Sequence, residues 1–347
     1  MENNDTCLLA GDIGGTHTRL QLYTAGSRGP LEYAGETYAS REAGALEEMI
    51  ADLLERHPVT VNAACFGIAG RVAEGAARLT NLDWGVSEDN LRRRFQWPRI
   101  QLINDLAATA LAVPWLDAQE LFALHEAPGD QTGTMAVVAP GTGLGQALLV
   151  RHNGRFLALA SEGGHADFAP TDVTQTELWG YLHQRYGHVS VERVLSGEGL
   201  VNIYEWMALG RTTGTASPVD HAVEILKAAD PAQTITQYAL EATDDLCREA
   251  LLLFCRILGA VAGNLALTGL ATGGVYLGGG IPPKILPMLE RSDFVQSFCA
   301  KGRFSDLLAA IPVWVIRNDR AALMGAARQA FELLNLEGDG HDNSNTR

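Results

Sequence analysis

An aspartate that ends an apolar run and opens an apolar helix is placed to take up a proton. Leu102-Ile103-Asn104-Asp105-Leu106-Ala107-Ala108 has this form. Its apolar spacing predicts a strand over 99–103 and a helix over 106–113. Ligand sites in open α/β sheets gather at the carboxyl ends of strands. Asp105 therefore has two readings: it can N-cap the helix, or it can be a general base for a hydroxyl that attacks phosphorus. Two glycine turns carry the complementary chemistry, Gly11-Asp12-Ile13-Gly14-Gly15-Thr16 and Pro140-Gly141-Thr142-Gly143-Leu144-Gly145. Glycine lets the backbone approach a ligand closely, and consecutive amides can nest an anion. Asp12 offers the hard oxygen ligand that Mg²⁺ takes, directly or through water. Either turn alone also reads as a plain β-hairpin. Two of them, about 130 residues apart, can hold a polyphosphate from both sides.

Three further constellations stand out. Gly273-Gly274-Val275-Tyr276-Leu277-Gly278-Gly279-Gly280 places a strand between glycine clusters, a flat backbone surface for a nucleobase or ribose, or a tight packing turn. In Ser161-Glu162-Gly163-Gly164-His165-Ala166-Asp167-Phe168, Glu162 and His165 flank a glycine hinge and can grip adjacent sugar hydroxyls. A metal there lacks the second histidine expected of a zinc site. Val191-Glu192-Arg193-Val194-Leu195-Ser196-Gly197 offers another carboxylate, which can equally sit in a helix's first turn. His188 earns no special role.

The elements that must position these groups alternate along 347 residues, enough for two domains. Strands are expected at 7–10, 18–23, 61–68, 99–103, 135–139, 146–150, 274–277 and 313–316. Helices are expected at 45–54, 106–113, 176–186, 192–210, 218–229, 235–267 and 321–334. The pattern is that of an α/β protein. The second glycine turn restarts the plan of the first, which suggests a duplicated architecture. The uncharged stretch 257–283 is long enough to span a bilayer, but its glycines and Pro282-Pro283 read as helix, strand and turn. The polar tail 337–347 is expected to be disordered.

Composition excludes several classes. The formal charge is −15, and the only basic run, Arg92-Arg93-Arg94, adjoins Glu88 and Asp89, so nucleic acid is not an expected partner. Neither is a membrane. The three lysines, Lys227, Lys284 and Lys301, precede Ala, Ile and Gly. There is thus no Gly-Lys-Ser/Thr phosphate loop, and no early-strand lysine of a protein kinase. The five cysteines form no C-x-x-C pair, which fits reduced thiols in a cytoplasmic setting.

Taken in order, Gly11-Asp12-Ile13-Gly14-Gly15-Thr16, Ile103-Asn104-Asp105, Gly141-Thr142-Gly143-Leu144-Gly145, Glu162 to Pro170, Glu192-Arg193-Val194-Leu195-Ser196-Gly197 and Gly278-Gly279-Gly280-Ile281 resemble bacterial ATP-dependent glucokinases from about residue 8 to 334. The stretches around Glu162 and Glu192 are the most specific. The resemblance implies a two-lobed actin-like (ribonuclease-H-like) α/β fold, with duplicated domains around a central cleft. The small domain is expected at 1–115 plus 317–336 and the large one at 116–316. The resemblance also implies transfer of the γ-phosphoryl group of Mg·ATP to the 6-hydroxyl of glucose, with Asp105 as base. Sugar contacts would come from Asn81, Asn104, Asp105, Glu162, His165 and Glu192. Asp12, Gly14, Gly15, Thr16, Gly141, Thr142 and Gly143 would hold phosphate, and Gly278, Gly279 and Gly280 adenosine. A cytoplasmic homodimer is the family's common state. Related kinases carry a C-x-C-G-x-x-G-C zinc motif that is missing here, so no structural zinc is expected. Pro140 removes one amide from the second phosphate loop. The alternatives are a same-fold kinase for another hexose or for polyphosphate, and a non-enzymatic sugar sensor.

Overall fold

A computed structural model describes residues 6–79, 82–211 and 219–335. The chain divides into two compact units, Met1–Leu116 with Arg320–Arg347, and Asp117–Asp319.

The first unit is built on a five-stranded sheet. β1 (Cys7–Ile13), β2 (His17–Gly26) and β3 (Gly29–Ala39) form an antiparallel meander. After α1 (Leu46–Arg56), β4 (Val61–Ile68) lies parallel to β1. A small sheet of β5 (Val72–Ala73), β6 (Ala76–Arg78) and β7 (Gly85–Ser87) leads into α2 (Glu88–Phe95). Then β8 (Ile100–Asn104), parallel to β4, runs straight into α3 (Asp105–Ala112). The strand order is β3-β2-β1-β4-β8.

The second unit repeats this order. β9 (Leu121–His125) comes first in sequence. β10 (Met135–Pro140), β11 (Leu144–His152) and β12 (Arg155–Ser161) then form an antiparallel meander. The helices α4 (Val173–Tyr186), α5 (Gly197–Arg211), α6 (Val219–Leu226), α7 (Pro231–Leu240) and α8 (Asp245–Gly269) follow. β13 (Gly274–Leu277) pairs parallel to β10. α9 (Leu286–Arg291), α10 (Phe294–Cys299) and α11 (Ser305–Ala309) precede β14 (Val313–Ile316). The sheet reads β12-β11-β10-β13-β14-β9. Its first five strands repeat the directions of the other sheet, and β9 adds an antiparallel edge.

Alternation fixes how the first sheet is covered, because successive side chains of a strand point to opposite faces. Leu9, Ile13, Leu20, Leu22 and Phe66 pack with Leu46, Met49, Ile50 and Leu53 of α1. Leu8, Ala10, Ala63 and Cys65 face Leu323, Ala326, Ala327 and Ala330 of α12 (Ala321–Asn335), the last described helix. α12 also lies against α3. A Cβ on Gly325 would stand 1.7 Å from the Ala108 carbonyl oxygen, so the helices touch backbone to backbone there.

In the second unit α8 is the central helix. It is long and apolar enough to cross a membrane, yet 78% of its apolar window is buried in the fold. Over 257–283 the chain forms the end of α8, then β13, then the turn at Gly278 to Gly280. Two expected helices are broken. The 192–210 segment becomes a 3₁₀ turn at Val191–Arg193 followed by α5, where the Ser196 hydroxyl accepts from the Gly199 amide at 3.0 Å. The 235–267 segment splits because Ala242 takes φ +53° and Asp244 caps α8 through the Cys247 amide at 2.7 Å. β3, β5, β6, β7, β9 and β12 have no counterpart among the expected strands.

Candidate active site

In the first unit Asp105 is delivered by the β8–α3 junction. Asp12 on β1 lies level with Gly67 on β4, which lies level with Ile103 on β8. Asn104 stands one step further along and Asp105 two. Gly67 carries no side chain between them, and a Cβ there would meet Ala108 Cβ at 3.1 Å. The helix cap is Asn104, not Asp105. Asn104 Oδ1 accepts from the Leu106 and Ala107 amides at 3.0 and 3.3 Å, and Nδ2 donates to Gly70 O at 3.2 Å. Asp105 Oδ1 also accepts from the Leu106 amide at 2.8 Å, which leaves Oδ2 for other partners. Burial pushes the Asp105 carboxyl up to about 6, the negative charge of Asp12 adds to the rise, and the Leu106 amide opposes it.

The first glycine turn is narrower than its sequence suggests. β1 continues through Ile13, so Asp12 is a strand residue. Gly11 faces Phe66, Ile13 and Leu20, where a Cβ would come within 2.5–3.0 Å of their side chains. The turn proper is Gly14 to Thr16. The Gly14 amide donates to His17 O at 3.0 Å. Ser40, fully buried, holds the turn from behind: its hydroxyl donates to Gly14 O at 2.7 Å and its amide to Thr16 O at 2.9 Å. The Gly15 and Thr16 amides have no partner among the described residues. Asn81 lies outside the described residues.

The second unit gathers Gly141, Thr142, Gly143, Glu162, His165 and Glu192 around one backbone segment. Glu192 Oε2 accepts from the Leu144 amide at 2.8 Å. A Cβ on Gly143 would stand 2.5 Å from that oxygen, so only glycine lets Glu192 in. Gly164 packs on the Leu144 carbonyl, where a Cβ would fall at 2.0 Å. Leu144 thus joins the second glycine turn to both the Glu162 and the Glu192 segments. Those segments also pair directly: the Phe168 amide donates to Val189 O and the Val191 amide to Ala166 O, each at 2.9 Å. Glu162 and His165 are exposed at the ends of this turn. Asp167 is bound by His188 Nε2 at 2.8 Å, which gives His188 a structural contact that spacing does not reveal.

Gly141 donates its amide to Gly143 O at 2.8 Å, which leaves the Thr142 and Gly143 amides without a partner among the described residues. Beside them opens a cavity of about 560 Å³, bounded by Gly141, Thr142, Glu198, Gln233, Gly280 and Lys284. Its floor is the start of α5, where the Gly197 amide donates to Gly141 O at 2.9 Å. Gly279 adopts φ +79°, and a Cβ would meet Pro140 O at 2.5 Å. Glycine is required there, and Gly280 opens onto the cavity. Val201, Pro231, Gln233, Thr236 and Lys284 also line it. Nothing in their sequence context marks them, because they converge from α5, α7 and the turn after Gly280. Ser40 is equally unmarked.

Two sheets that share one strand order, each with a glycine turn after the first strand of its meander, together with a half-buried carboxylate at a strand end, define an actin-like sugar kinase. A family model described as Glucokinase matches residues 9–332. A glucokinase of Synechocystis sp. is 39% identical over 341 residues, covering 92% of this chain and 96% of the relative. The crystal structure of a glucokinase from an Antarctic psychrotroph superposes with a TM-score of 0.84 at 34% identity, covering 94% of this chain and 99% of that one. A ROK family glucokinase from Streptomyces griseus, solved with glucose and AMPPNP, shares the fold at a TM-score of 0.61 and 20% identity, over 94% of this chain and 99% of that one. The chain belongs to the glucokinase family.

Proposed function

We propose that the protein transfers the γ-phosphoryl group of ATP to the 6-hydroxyl of glucose, giving glucose 6-phosphate and ADP. The observation that carries this reading is Asp105: a carboxyl group at a strand end, relieved of the capping duty by Asn104 and raised to about 6. A base with a value near the working pH is still ionised, yet basic enough to take a proton. Asp105 orients the 6-hydroxyl and accepts its proton late in a loose transition state. The open amides of Gly15, Thr16, Thr142 and Gly143 then receive phosphate oxygens without any lysine. The cavity bounded by Gly141 and Gly280 takes the nucleoside, with Gly278 to Gly280 against adenosine.

Glu162, His165 and Glu192 bind the sugar, together with Asn81 and Asn104. Asn104 brings only its remaining amide hydrogen to this task, because its oxygen is spent on α3. Glu192 contributes Oε1, since Oε2 is bound to Leu144. The donor set at Asp12 fits Mg²⁺, because two carboxylates whose charges oppose each other suit a hard dication. Bound with ATP, Mg²⁺ supplies positive charge against the phosphoryl oxygens, and Asp12 holds it directly or through water. The protein works as a cytoplasmic homodimer at the entry of glucose into glycolysis. The free cysteines, four of them buried, support a reducing compartment.

The test is a coupled assay of glucose 6-phosphate formation across a panel of hexoses, each with ATP and with polyphosphate. The expected result is the highest kcat/KM for glucose with ATP. A higher value for another hexose or for polyphosphate overturns this assignment.

A further inference from the structure

An exposed strand edge presents a row of unpaired backbone donors and acceptors, and proteins protect such edges. Three of the four edges of the two main sheets carry a protecting device. β3 holds Pro30, Glu32 and Glu36. The β8 edge is closed by Glu88, whose Oε1 accepts from the Leu102 amide at 2.9 Å. β9 is five residues long and half-buried throughout. β12 has none of these. Arg155-Phe156-Leu157-Ala158-Leu159-Ala160-Ser161 contains no proline, no lysine and no carboxylate. Leu157 and Leu159, on one face of the strand, are 53% and 44% exposed. The backbone from Phe156 to Ala160 pairs only with β11 among the described residues.

We propose that β12 is the contact between two copies of this chain, the strands running antiparallel about a two-fold axis at Ala158. This sequence is self-complementary in that register. Leu157 faces Leu159 of the second copy, Phe156 faces Ala160, and Ala158 faces itself. Arg155 faces Ser161 of the second copy, so no like charges oppose each other along the contact. An edge paired with its own copy gives an isologous, closed interface and satisfies the open backbone groups of both strands. The contact joins the two six-stranded sheets into one continuous sheet. The inference rests on the homodimer reading and locates its interface.

The experiment measures mass by sedimentation equilibrium over a range of protein concentrations. Wild type is expected at twice the 37.2 kDa chain mass. In Leu157→Lys/Leu159→Lys, like charges stand directly opposite each other across the axis, which destabilises a strand pair, so a single chain mass is expected. In Leu157→Lys/Leu159→Glu the same positions bring opposite charges together, and the double mass is expected to return. This second variant separates a lost contact from a lost fold. Ala158→Cys supplies an independent measurement, since directly opposed Cα atoms lie within disulfide range. With glutathione disulfide as oxidant, the two thiols lose their protons and two electrons, glutathione is released as thiol, and a covalent dimer is expected on a non-reducing gel. A wild type of single mass at every concentration overturns the homodimer reading as well as this one. A dimeric wild type whose Leu157→Lys/Leu159→Lys variant keeps the double mass overturns the β12 contact alone. So does failure of Leu157→Lys/Leu159→Glu to recover the double mass, or absence of the covalent dimer.

Discussion

Asp105 is a carboxyl group held where its charged form is costly. Its raised value, about 6 against 3.8 for the ordinary side chain, comes from burial and then from Asp12. The activity has a direct consequence: the base works only when ionised, so kcat/KM for glucose is expected to fall as pH drops below about 6. A profile that stays flat down to pH 5 contradicts the role. Stability runs the other way. The protonated form favours folding below about pH 4, and that contribution is lost as pH rises through about 6. Asp105→Asn stays neutral and keeps an acceptor for the Leu106 amide. It is expected to be more stable than wild type at pH 8, by on the order of 2–3 kcal/mol without metal, while kcat falls by roughly 10²–10⁴. Denaturant unfolding at pH 4.5 and pH 8, beside the coupled assay, reads both effects. The residue types at this site were plain in the sequence. Their division of labour was not, because which of the adjacent Asn and Asp caps the helix is settled by backbone geometry that composition does not encode.

At the scale of elements, the glycines do different work from what their turns suggest. None of Gly11, Gly14, Gly15, Gly141 and Gly143 adopts the left-handed φ that would demand glycine. Gly143 is instead small so that Glu192 can reach the Leu144 amide. Gly143→Ala is expected to displace that carboxylate and raise the KM for glucose more than it lowers kcat, whereas a change confined to kcat would place Glu192 away from the sugar. Gly325 is small so that α12 can lie on α3. Gly325→Ala must part the two helices, at a cost of about 1–3 kcal/mol, and thermal unfolding should show it. Because α3 begins at Asp105, kcat should fall as well. Period-2 and period-3.6 patterns revealed the buried strands and most helices. β3 and β12 escaped because their outer faces are mixed or solvated, so that burial does not impose a clean alternation. The breaks at Ser196 and Asp244 escaped because local capping by a single side chain overrode an apolar pattern that continues through them.

For the whole molecule, each unit closes its own core, but with different segments of chain. Among the described residues, the core of the second unit draws only on residues between Phe122 and Val315. Expressed alone, 117–319 is expected to unfold cooperatively in denaturant, with coincident circular dichroism and fluorescence transitions. Residues 1–116 alone should not, since Leu8, Ala10, Ala63 and Cys65 would lose the cover of α12. A cooperative transition of 1–116 would show that α12 is dispensable to that sheet. The duplicated plan was visible from two glycine turns. The return of the chain to cover the first sheet was not, because the apolar stripe of α12 says that it packs and does not say where.

That return also sets the order in which the protein can be made. The base and the first glycine turn leave the ribosome early, but the helix that backs them comes about 200 residues later. At bacterial and eukaryotic elongation rates the nascent first sheet waits roughly 10–40 s with one face uncovered, while the second unit can fold in the interval. Any chain released before α12 carries Asp105 on an unfinished sheet. Premature termination therefore yields a product that proteases and chaperones can recognise by its bare apolar face, in place of a partly active kinase.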